Sequence, residues 1–574
     1  MAYNLLLGGA AGQGIETTAS ILEKLLKRSG CHLFTTRDFM SRIRGGHNFI
    51  QIRFGDQPLY SHADSLDCVV ALDAPTAALH TDRLSPDGVL LCDESVESSD
   101  TRALRLALTA TARELGNPRY AGSVAAGAIL RLFGVAFEET AVREVLGTYL
   151  RPELADGNTV AFRRGYDMAT ERFQPLSGDA SGHMLVTGSQ TMALGALASG
   201  LRFYAAYPMS PSTPILEYLA SKSLEAGVVV VEQAEDEIAA INLAIGASYA
   251  GVRAMTATSG GGFSLMVEAL GLAGITEIPL VVADIQRPGP ATGLPTRTEQ
   301  ADLQFVLSAS QGEFPRAVLS VRSHREIWHQ TRRAFELADR YQVPVILLGD
   351  QYLGDASATM PVPEVSPVRL PAEAMAEALQ KAKDNLSEDR PYLRYEITES
   401  GVSPRLLPGK SPHLVIVDSD EHDEEGLITE SADVRRAMVD KRARKSVGLA
   451  ADMEEPDWIG PTREGEPVPT DLLLLGWGSL WGPLHEAVAI LTAAGRSVGA
   501  LVWGDLYPFP AARLTALSAS AQKVVNVEQN STGQLARLVR QETGLACHAS
   551  ILRYDGRQLS GDQIADRIQR EVSE

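Results

Sequence analysis

Short apolar runs that end in turn residues, each followed by a helical stretch, recur along the whole chain. Examples are NLLLGGA near the N-terminus, IPLVVADIQ in the middle and DLLLLGWGS towards the C-terminus. Strands that alternate with helices predict parallel sheets covered by helices, because each crossover helix returns the chain to the same end of the sheet. The sequence therefore predicts an α/β fold.

The 574 residues are more than one hydrophobic core normally serves, so several domains are expected. Glycine-rich and proline-rich stretches suggest where the domains meet. The predicted parts are a first α/β block at 1–174, a linker at 175–183, a second α/β block at 184–362, an extended connector at 363–469 and a smaller α/β block at 470–574.

The connector contains an acidic run, DSDEHDEEG, and a basic run, RRAMVDKRARK, which could be a helix. Both runs predict a solvated surface or arm. A long irregular segment can also wrap a neighbouring subunit.

Charge and cysteine content exclude several classes of protein. The formal net charge of −20 argues against nucleic acid or an anionic membrane as the main partner. The N-terminus lacks a signal-peptide pattern, and no apolar run reaches the ~20 residues that span a bilayer, so a cytoplasmic protein is expected. The cysteines form neither a disulfide framework nor a metal or cluster motif, and we expect them in the core. They are Cys31, Cys68, Cys92 and Cys547.

Two segments of the first block are candidates for anion binding. GGAAGQG, with Gly12 and Gly14, lies between a strand and a helix, where it suits either a phosphate-binding turn or a structural tight turn. RIRGGHN places Arg42 and Arg44 beside two glycines, which suits either an anion site or an exposed charged turn.

In the second block, several strands end in polar loops. YPMSPSTP displays the hydroxyl of Ser210 between two prolines, TATSGGGF offers backbone donors around Ser259 and Gly260, and the loop after IPLVVADIQ carries Arg287 and Arg297. Open α/β sheets bind ligands at the carboxyl ends of their strands. The three loops together predict a site for a small carboxylate substrate.

The segment VVVVEQAEDEIAAINLAIGASYAG passes from a buried strand to an apolar helix through a cluster of carboxylates. Acidic side chains are stabilised at a helix N-terminus, which accounts for Glu235 or Asp236. Glu237 is expected one turn deeper, in apolar surroundings, where a buried carboxylate needs a specific partner. A basic heteroaromatic nitrogen is one such partner.

These motifs together resemble the α subunit of the 2-oxoacid:ferredoxin oxidoreductases, and most of all the 2-oxoglutarate type. The segments that carry this resemblance are YPMSPSTP, EQAEDEIAAINLAIGASYAG, TATSGGGFSLM and QRPGPATGLPTRTEQADL. GGAAGQG with SRIRGGHNFIQIR resembles the γ module of the same family, here fused in front of the α region. The last block is similar to the transketolase C-terminal-type domain.

The resemblance implies oxidative decarboxylation of 2-oxoglutarate to succinyl-coenzyme A, with electrons passing to ferredoxin, or the reverse reaction that fixes CO₂. The second block would bind the pyrimidine side of thiamine diphosphate, with Glu237 as the catalytic carboxylate. Ser210 stands where the family usually has threonine, and it would bind the substrate together with Arg287 and Arg297. The remaining implied positions are Tyr207, Pro208, Ser259 and Gly260 for the cofactor, and Arg42, Arg44, Gly12 and Gly14 for coenzyme A or another anion.

The family also implies a division of labour between subunits. This chain has no GDG…N-type loop for Mg²⁺ and diphosphate, and its cysteines do not match a cluster motif. The resemblance assigns Mg²⁺, the diphosphate contacts and a [4Fe–4S] cluster to a separate β subunit. The chain alone would then be inactive and would work in a dimer of αβ units.

Three alternatives stay open on the sequence. The first is the same chemistry on pyruvate, a branched-chain 2-oxoacid or an aryl pyruvate. The second is a non-catalytic scaffold subunit in which Glu237 only caps a helix. The third is a coenzyme A ligase-type protein that uses GGAAGQG to bind phosphate.

Overall fold

A computed structural model describes residues 1–10, 13–39, 47–226, 229–368, 370–371, 373, 376 and 391–572. The chain divides into two compact units. The first comprises Met1–Thr187, Asp355–Pro363 and Ser560–Gln563, and the second comprises Gly188–Gly354, Glu364–Leu559 and Ile564–Glu574.

The strands follow the apolar runs of the sequence. In chain order they are β1 (Ala2–Ala10), β2 (His32–Phe39), β3 (His47–Gly55), β4 (Leu66–Ala71), β5 (Leu84–Asp93), β6 (Ala103–Leu106), β7 (Met184–Thr187), β8 (Phe203–Ala206), β9 (Val230–Gln233), β10 (Ala254–Thr258), β11 (Leu280–Gln286), β12 (Ala317–Ser320), β13 (Pro344–Asp350), β14 (Ser357–Met360), β15 (Asp457–Ile459), β16 (Thr462–Arg463), β17 (Glu466–Pro467), β18 (Leu472–Trp477), β19 (Val498–Trp503), β20 (Asp505–Tyr507), β21 (Lys523–Glu528) and β22 (Ala549–Leu552).

Helices connect most of these strands. In chain order they are α1 (Ile15–Arg28), α2 (Ala74–His80), α3 (Leu108–Glu114), α4 (Ala121–Leu132), α5 (Glu139–Tyr149), α6 (Pro152–Met168), α7 (Gly188–Ala198), α8 (Thr213–Ala226), α9 (Glu237–Tyr249), α10 (Gly260–Ile275), α11 (Leu303–Leu307), α12 (His324–Tyr341), α13 (Gln351–Asp355), α14 (Ala432–Ala451), α15 (Trp481–Ala493), α16 (Ala512–Ser518), α17 (Gln534–Thr543) and α18 (Gly561–Glu571). Short 3₁₀ turns lie at Thr81–Arg83, Pro118–Tyr120, Ala180–Gly182 and Gly478–Leu480. Within the described ranges, none of the helices is both long enough and apolar enough to cross a bilayer.

The first unit contains an eight-stranded sheet in the order β6-β5-β4-β1-β3-β2-β14-β7. The strands from β6 to β1 run parallel, as the α/β pattern predicts. From β1 to β7 the neighbouring strands are antiparallel, which local periodicity does not reveal. The domain boundaries drawn from the sequence remain a prediction. The strand order shows that β7 and β14, which lie in the predicted second block, form part of this first sheet.

The cysteines behave largely as predicted for core residues. Cys31, Cys68 and Cys92 are buried in the first unit, and Cys547 of the second unit is partly buried. All four are free thiols.

The second unit contains a seven-stranded sheet in the order β20-β12-β13-β11-β10-β8-β9 and a five-stranded sheet in the order β15-β19-β18-β21-β22. Both are parallel except at one edge, where β20 and β15 are antiparallel to their neighbours. The two sheets share one hydrophobic core, in which Ile346 and Leu348 of the larger sheet cluster with Trp477, Leu501 and Trp503 of the smaller one.

The connector differs from the solvated arm that its charge predicts. The basic run forms part of α14, and Lys441, Arg442 and Lys445 are buried. The Lys441 Nζ lies 2.6 Å from Glu277 Oε1, and the Lys445 Nζ lies 2.5 Å from Glu277 Oε2. Burial opposes the Glu277 charge, but the neighbouring cations hold the pKa of this carboxyl at about 2.

One residue of the acidic run, Glu421, is paired with the basic run, whereas Asp420 is exposed. Glu421 accepts hydrogen bonds from Arg435 and Arg442 of α14, at 2.5 and 2.8 Å. The prediction of a solvated surface was therefore wrong for Lys441, Arg442 and Lys445, which are buried and paired with Glu277 or Glu421. Asp420, Arg435 and Arg436 are exposed, as the prediction expects. The pairing of Glu277 with Lys441 spans 164 residues and leaves no local sequence signal.

Replacement of Glu277 by glutamine should destabilise the second unit by about 3 kcal/mol, because two buried ammonium groups lose their counter-ion. Differential scanning calorimetry should show a lower transition midpoint, while the circular dichroism of the folded variant stays unchanged at about 20 °C. The matched control is Arg436→Gln, which removes an exposed ion pair with Asp433 on the same helix and should leave the midpoint unchanged. Equal midpoints for the two variants would contradict an anchoring role for Glu277.

Candidate active site

The carboxyl ends of four neighbouring strands meet at one edge of the seven-stranded sheet. Strands β9, β8, β10 and β11 are parallel neighbours in that order. Their last residues therefore deliver the loops that carry Glu237, Ser210, Gly260 and Arg287 to the same edge. The structure thus gathers the segments that the sequence singles out.

Glu237 is the first residue of α9, not one turn inside it as the sequence analysis expects. Asp236 caps the helix, and its Oδ1 accepts a 2.7 Å hydrogen bond from the Ala239 amide. Glu235 is exposed, whereas Glu237 is only 4% exposed. Within the described part of the chain, the Glu237 carboxylate makes no hydrogen bond, so its burial is not explained by capping.

Two glycines at the start of α10 leave room for carboxylates. A Cβ at Gly262 would lie 2.4 Å from Glu237 Oε1 and 2.1 Å from Thr258 Oγ1. A Cβ at Gly260 would lie 2.4 Å from Asp302 Oδ2. The glycine triplet therefore lets two acidic side chains approach a helix N-terminus, where the macrodipole favours negative charge.

Ser210 and Arg287 come together directly. The Arg287 Nη1 donates a 2.6 Å hydrogen bond to the Ser210 carbonyl. Burial lowers the pKa of Arg287, and its side chain is half-buried. The Ser210 hydroxyl has no hydrogen-bond partner among the described residues.

Arg297 occupies a different place in the same loop. Its Cβ lies 2.9 Å from where a Cβ at Gly556 would stand, and the neighbouring Thr298 amide donates to the Gly556 carbonyl at 3.2 Å. Gly556 has φ +79°, which favours glycine, so the Arg297 stem packs on a tight turn of the last block.

The remaining cofactor candidates lie on the loops that follow β8 and β10. Tyr207 is 40% exposed, and Pro208 beside it is half-buried. The next residue, Met209, accepts a hydrogen bond from the Thr258 hydroxyl at its sulfur, at 3.6 Å. Ser259 is fully buried, and its hydroxyl has no partner in the described structure.

Sequence analysis missed a group of acidic residues beside these loops. Asp284 of β11 is fully buried, and neither of its carboxyl oxygens has a hydrogen-bond partner in the described structure. Burial and the neighbouring Asp302 raise the pKa of Asp284 well above its ordinary value. Burial also raises the pKa of Asp302 to about 6, and burial together with Asp302 raises that of Glu299 to about 7. The available signal was an aspartate inside the apolar run VVADIQ.

Of the anion candidates in the first unit, Gly14 is the one that the structure describes. It is the N-cap of α1 with φ +76°, a conformation that favours glycine. Gly12, Arg42 and Arg44 lie outside the described residues.

Comparison with known families places the chain in a class of thiamine diphosphate-dependent oxidoreductases. Residues 194–441 match the family model described as "Pyruvate flavodoxin/ferredoxin oxidoreductase, thiamine diP-bdg". Residues 4–168 match "Pyruvate ferredoxin/flavodoxin oxidoreductase", and residues 470–564 match "Pyruvate:ferredoxin oxidoreductase core domain II".

Two individual relatives indicate the family within this class of oxidoreductases. The chain is 31% identical to a 2-oxoacid:ferredoxin oxidoreductase subunit alpha of Sulfolobus sp over 99% of this chain and 96% of the relative. It is 31% identical to the 2-oxoglutarate oxidoreductase subunit KorA of Mycobacterium tuberculosis over 93% of this chain and 86% of the relative. The chain belongs to the 2-oxoacid:ferredoxin oxidoreductase α-subunit family.

A solved structure matches over the full length. The 2-oxoglutarate:ferredoxin oxidoreductase from Magnetococcus marinus, determined with 2-oxoglutarate, coenzyme A and succinyl-CoA bound, is 30% identical with a TM-score of 0.90. The match covers 100% of both chains. The family and the α/β fold expected from the sequence are thereby confirmed.

Replacement of Gly262 by alanine should destabilise the second unit by about 1–3 kcal/mol, because the new methyl group overlaps the Glu237 carboxylate and the Thr258 hydroxyl. Gly246→Ala, on the neighbouring helix α9, is the matched control, since no atom lies within 4 Å of its added Cβ. That control should gain up to about 1 kcal/mol from helix propensity. Thermal midpoints that move together in the two variants would contradict the close approach at Gly262.

The Asp302 carboxyl predicts a pH-dependent difference between the wild type and Asp302→Asn. The unfolded carboxyl releases its proton near its ordinary pKa of 3.8, whereas the folded one retains it up to about pH 6. Above the unfolded pKa the folded wild type therefore binds more protons than the unfolded chain, and its stability falls as pH rises.

The amide introduced by Asp302→Asn cannot ionise, so the variant should gain stability over the wild type between about pH 4 and pH 7, on the order of 1–3 kcal/mol. Thermal midpoints across this range provide the measurement. Asp433→Asn, at an exposed carboxyl, is the control. An offset between wild type and Asp302→Asn that does not change with pH would contradict the raised pKa.

Proposed function

We propose that this chain is the α subunit, with a fused N-terminal γ domain, of a 2-oxoglutarate:ferredoxin oxidoreductase. The reaction is the coenzyme A-dependent oxidative decarboxylation of 2-oxoglutarate to succinyl-coenzyme A, with electrons passing to ferredoxin, and it can run in reverse. The observation that carries the proposal is the buried Glu237 carboxylate, which lies in a glycine cradle at the sheet edge with no hydrogen-bond partner in the described chain. The full-length similarity to the Magnetococcus marinus enzyme supports the choice of substrate.

The residues at this edge fit the pyrimidine half of thiamine diphosphate. When bound, this cofactor supplies the nucleophilic carbon and the electron sink of the reaction. The Glu237 carboxylate provides a buried acceptor for a ring N–H and holds or moves the proton at that nitrogen. Gly262 leaves the space that the Glu237 carboxylate occupies beside the start of α10. Tyr207, Pro208 and Ser259 are the further candidates to line the cofactor.

The substrate site is proposed around Ser210 and Arg287. One Arg287 N–H group is already used by the Ser210 carbonyl, which fixes the direction of the guanidinium. Its other donors suit a carboxylate of the substrate, which a planar guanidinium binds through two parallel hydrogen bonds. The Ser210 hydroxyl is the candidate donor to the keto or carboxyl oxygen. Arg297, on the tight turn at Gly556, is the second candidate for a carboxylate.

The site also requires a second chain. Family members named as α subunits imply a β subunit, and we assign Mg²⁺, the diphosphate contacts and the [4Fe–4S] cluster to that partner. Ferredoxin is the proposed electron acceptor, and the assembly is a dimer of αβ units. Coenzyme A is proposed to bind two segments of the first unit, one with Gly12 and Gly14 and the other with Arg42 and Arg44.

Pyruvate is the second candidate substrate, since the matching family models are described for pyruvate:ferredoxin oxidoreductases. It is smaller and lacks the distal carboxylate, so it would use only one of the two proposed arginine contacts to the substrate. The proposed chemistry at Glu237 is the same for both substrates.

The test is the activity of the full-length chain co-purified with its β subunit. Reduction of a low-potential viologen dye should require both chains and coenzyme A, and kcat/KM should be higher for 2-oxoglutarate than for pyruvate. Glu237→Gln should lower kcat by about 10²–10⁴-fold, because the amide cannot exchange a proton with the cofactor ring.

Glu235→Gln, two residues away and exposed, is the matched control and should keep wild-type activity. A preference for pyruvate would overturn the proposed substrate. Full activity of assembled Glu237→Gln would overturn the proposed role of Glu237 and favour the scaffold alternative.

A further inference from the structure

Two histidines and an aspartate converge at one edge of the first unit. His32 is the first residue of β2, and His183 immediately precedes β7. Both strands pair antiparallel with β14, so they run parallel to each other and begin at the same edge of the sheet. Asp179 precedes the 3₁₀ turn Ala180–Gly182 and reaches the same place from the predicted linker.

The three side chains form a compact donor set. One ligand atom from each residue lies within 4.8 Å of the other two. The His32 Nε2 is 2.8 Å from Asp179 Oδ1, and the centroids of the two imidazole rings are 5.3 Å apart. The Asp179 side chain is 87% exposed, while that of His32 is 3% exposed, so the cluster is rooted in the core and open to solvent on one side.

An ion pair between His32 and Asp179 explains only part of this arrangement. The Nδ1 of His183 is buried and has no hydrogen-bond partner in the described structure. A buried ring nitrogen without a partner loses its hydrogen bonds to water and gains none from the protein. A cation bound by all three residues would explain why His183 lies beside a histidine–aspartate pair.

We propose that His32, Asp179 and His183 bind a first-row divalent cation of the Zn²⁺ type. Imidazole nitrogen and a carboxylate suit such ions, whereas Mg²⁺ and Ca²⁺ prefer oxygen ligands alone. Tetrahedral metal–ligand bonds of about 2.0–2.2 Å place ligand atoms about 3.4 Å apart, so His32 Nε2 and Asp179 Oδ1, which lie 2.8 Å apart, separate slightly to admit the ion. Water completes the coordination on the open side.

The site would fasten the linker segment, residues 175–183, to the start of β2. Other contacts hold the same segment more weakly. The Lys27 ammonium donates to the Ser181 carbonyl at 2.9 Å, and the Cys31 thiol donates to the Leu176 carbonyl at 3.5 Å. A bound cation replaces the single hydrogen bond between His32 and Asp179 with three bonds to one centre. The role is therefore structural and is separate from the site at the seven-stranded sheet.

The test uses the full-length chain without a histidine tag, stripped with a chelator and then titrated with Zn²⁺ against a fluorescent zinc indicator. We expect one Zn²⁺ per chain at this site and no binding of Mg²⁺ in the same assay. His183→Asn and Asp179→Asn should each weaken Zn²⁺ binding at least about ten-fold. Substitution with Co²⁺ should give visible absorption bands that both variants lose.

His329→Gln is the matched control, because His329 also pairs with a carboxylate, Glu454, but has no second histidine beside it among the described residues. It should bind Zn²⁺ like the wild type. Asp179 is exposed, so its replacement tests the site even if a histidine variant folds poorly. Absence of a stoichiometric zinc site in the wild type, or equal affinity in folded Asp179→Asn, would overturn the proposal.

Discussion

The burial of carboxylates is the constraint on which the second unit depends, because a carboxylate that is taken out of water must be neutralised or paired. Glu277 is paired with two buried lysines of α14. Asp284 has no hydrogen-bond partner in the described structure, and burial together with Asp302 raises its pKa well above the ordinary value. Glu237 is 4% exposed and has no hydrogen-bond partner among the described residues, which is why we propose an external partner for it.

The glycine triplet after β10 makes this arrangement sterically possible. A side chain at Gly262 would occupy the space of the Glu237 carboxylate, and one at Gly260 would occupy that of Asp302. Two helices, α9 and α10, begin beside these carboxylates and present their positive ends. The parallel sheet is what brings both helix starts to one edge, so fold and site follow from the same topology.

Local patterns predicted the alternation of strands and helices and the segments that carry the proposed site. Asp236 as the helix cap, and Ser210 and Arg287 in neighbouring loops, follow from turn chemistry and from the carboxyl-edge rule. What local patterns could not reveal are contacts between distant segments. The pairing of Glu277 with Lys441 spans 164 residues, and β14 joins β2 across more than half of the chain. The buried lysines of the basic run read as solvated for the same reason, since their partner Glu277 lies far away in sequence.

The common core of the two sheets in the second unit has a consequence for how this part of the chain folds and how it can be divided. Strand β20 follows β19 of the smaller sheet in the chain but pairs with β12 at the edge of the larger sheet. Trp477 and Trp503 of the smaller sheet pack in the same cluster as Ile346 of the larger one. Neither sheet buries its apolar surface fully without the other, so they should unfold in a single cooperative transition. A chain cut within the connector would expose this core on both fragments, and the two pieces would depend on reassociation for solubility.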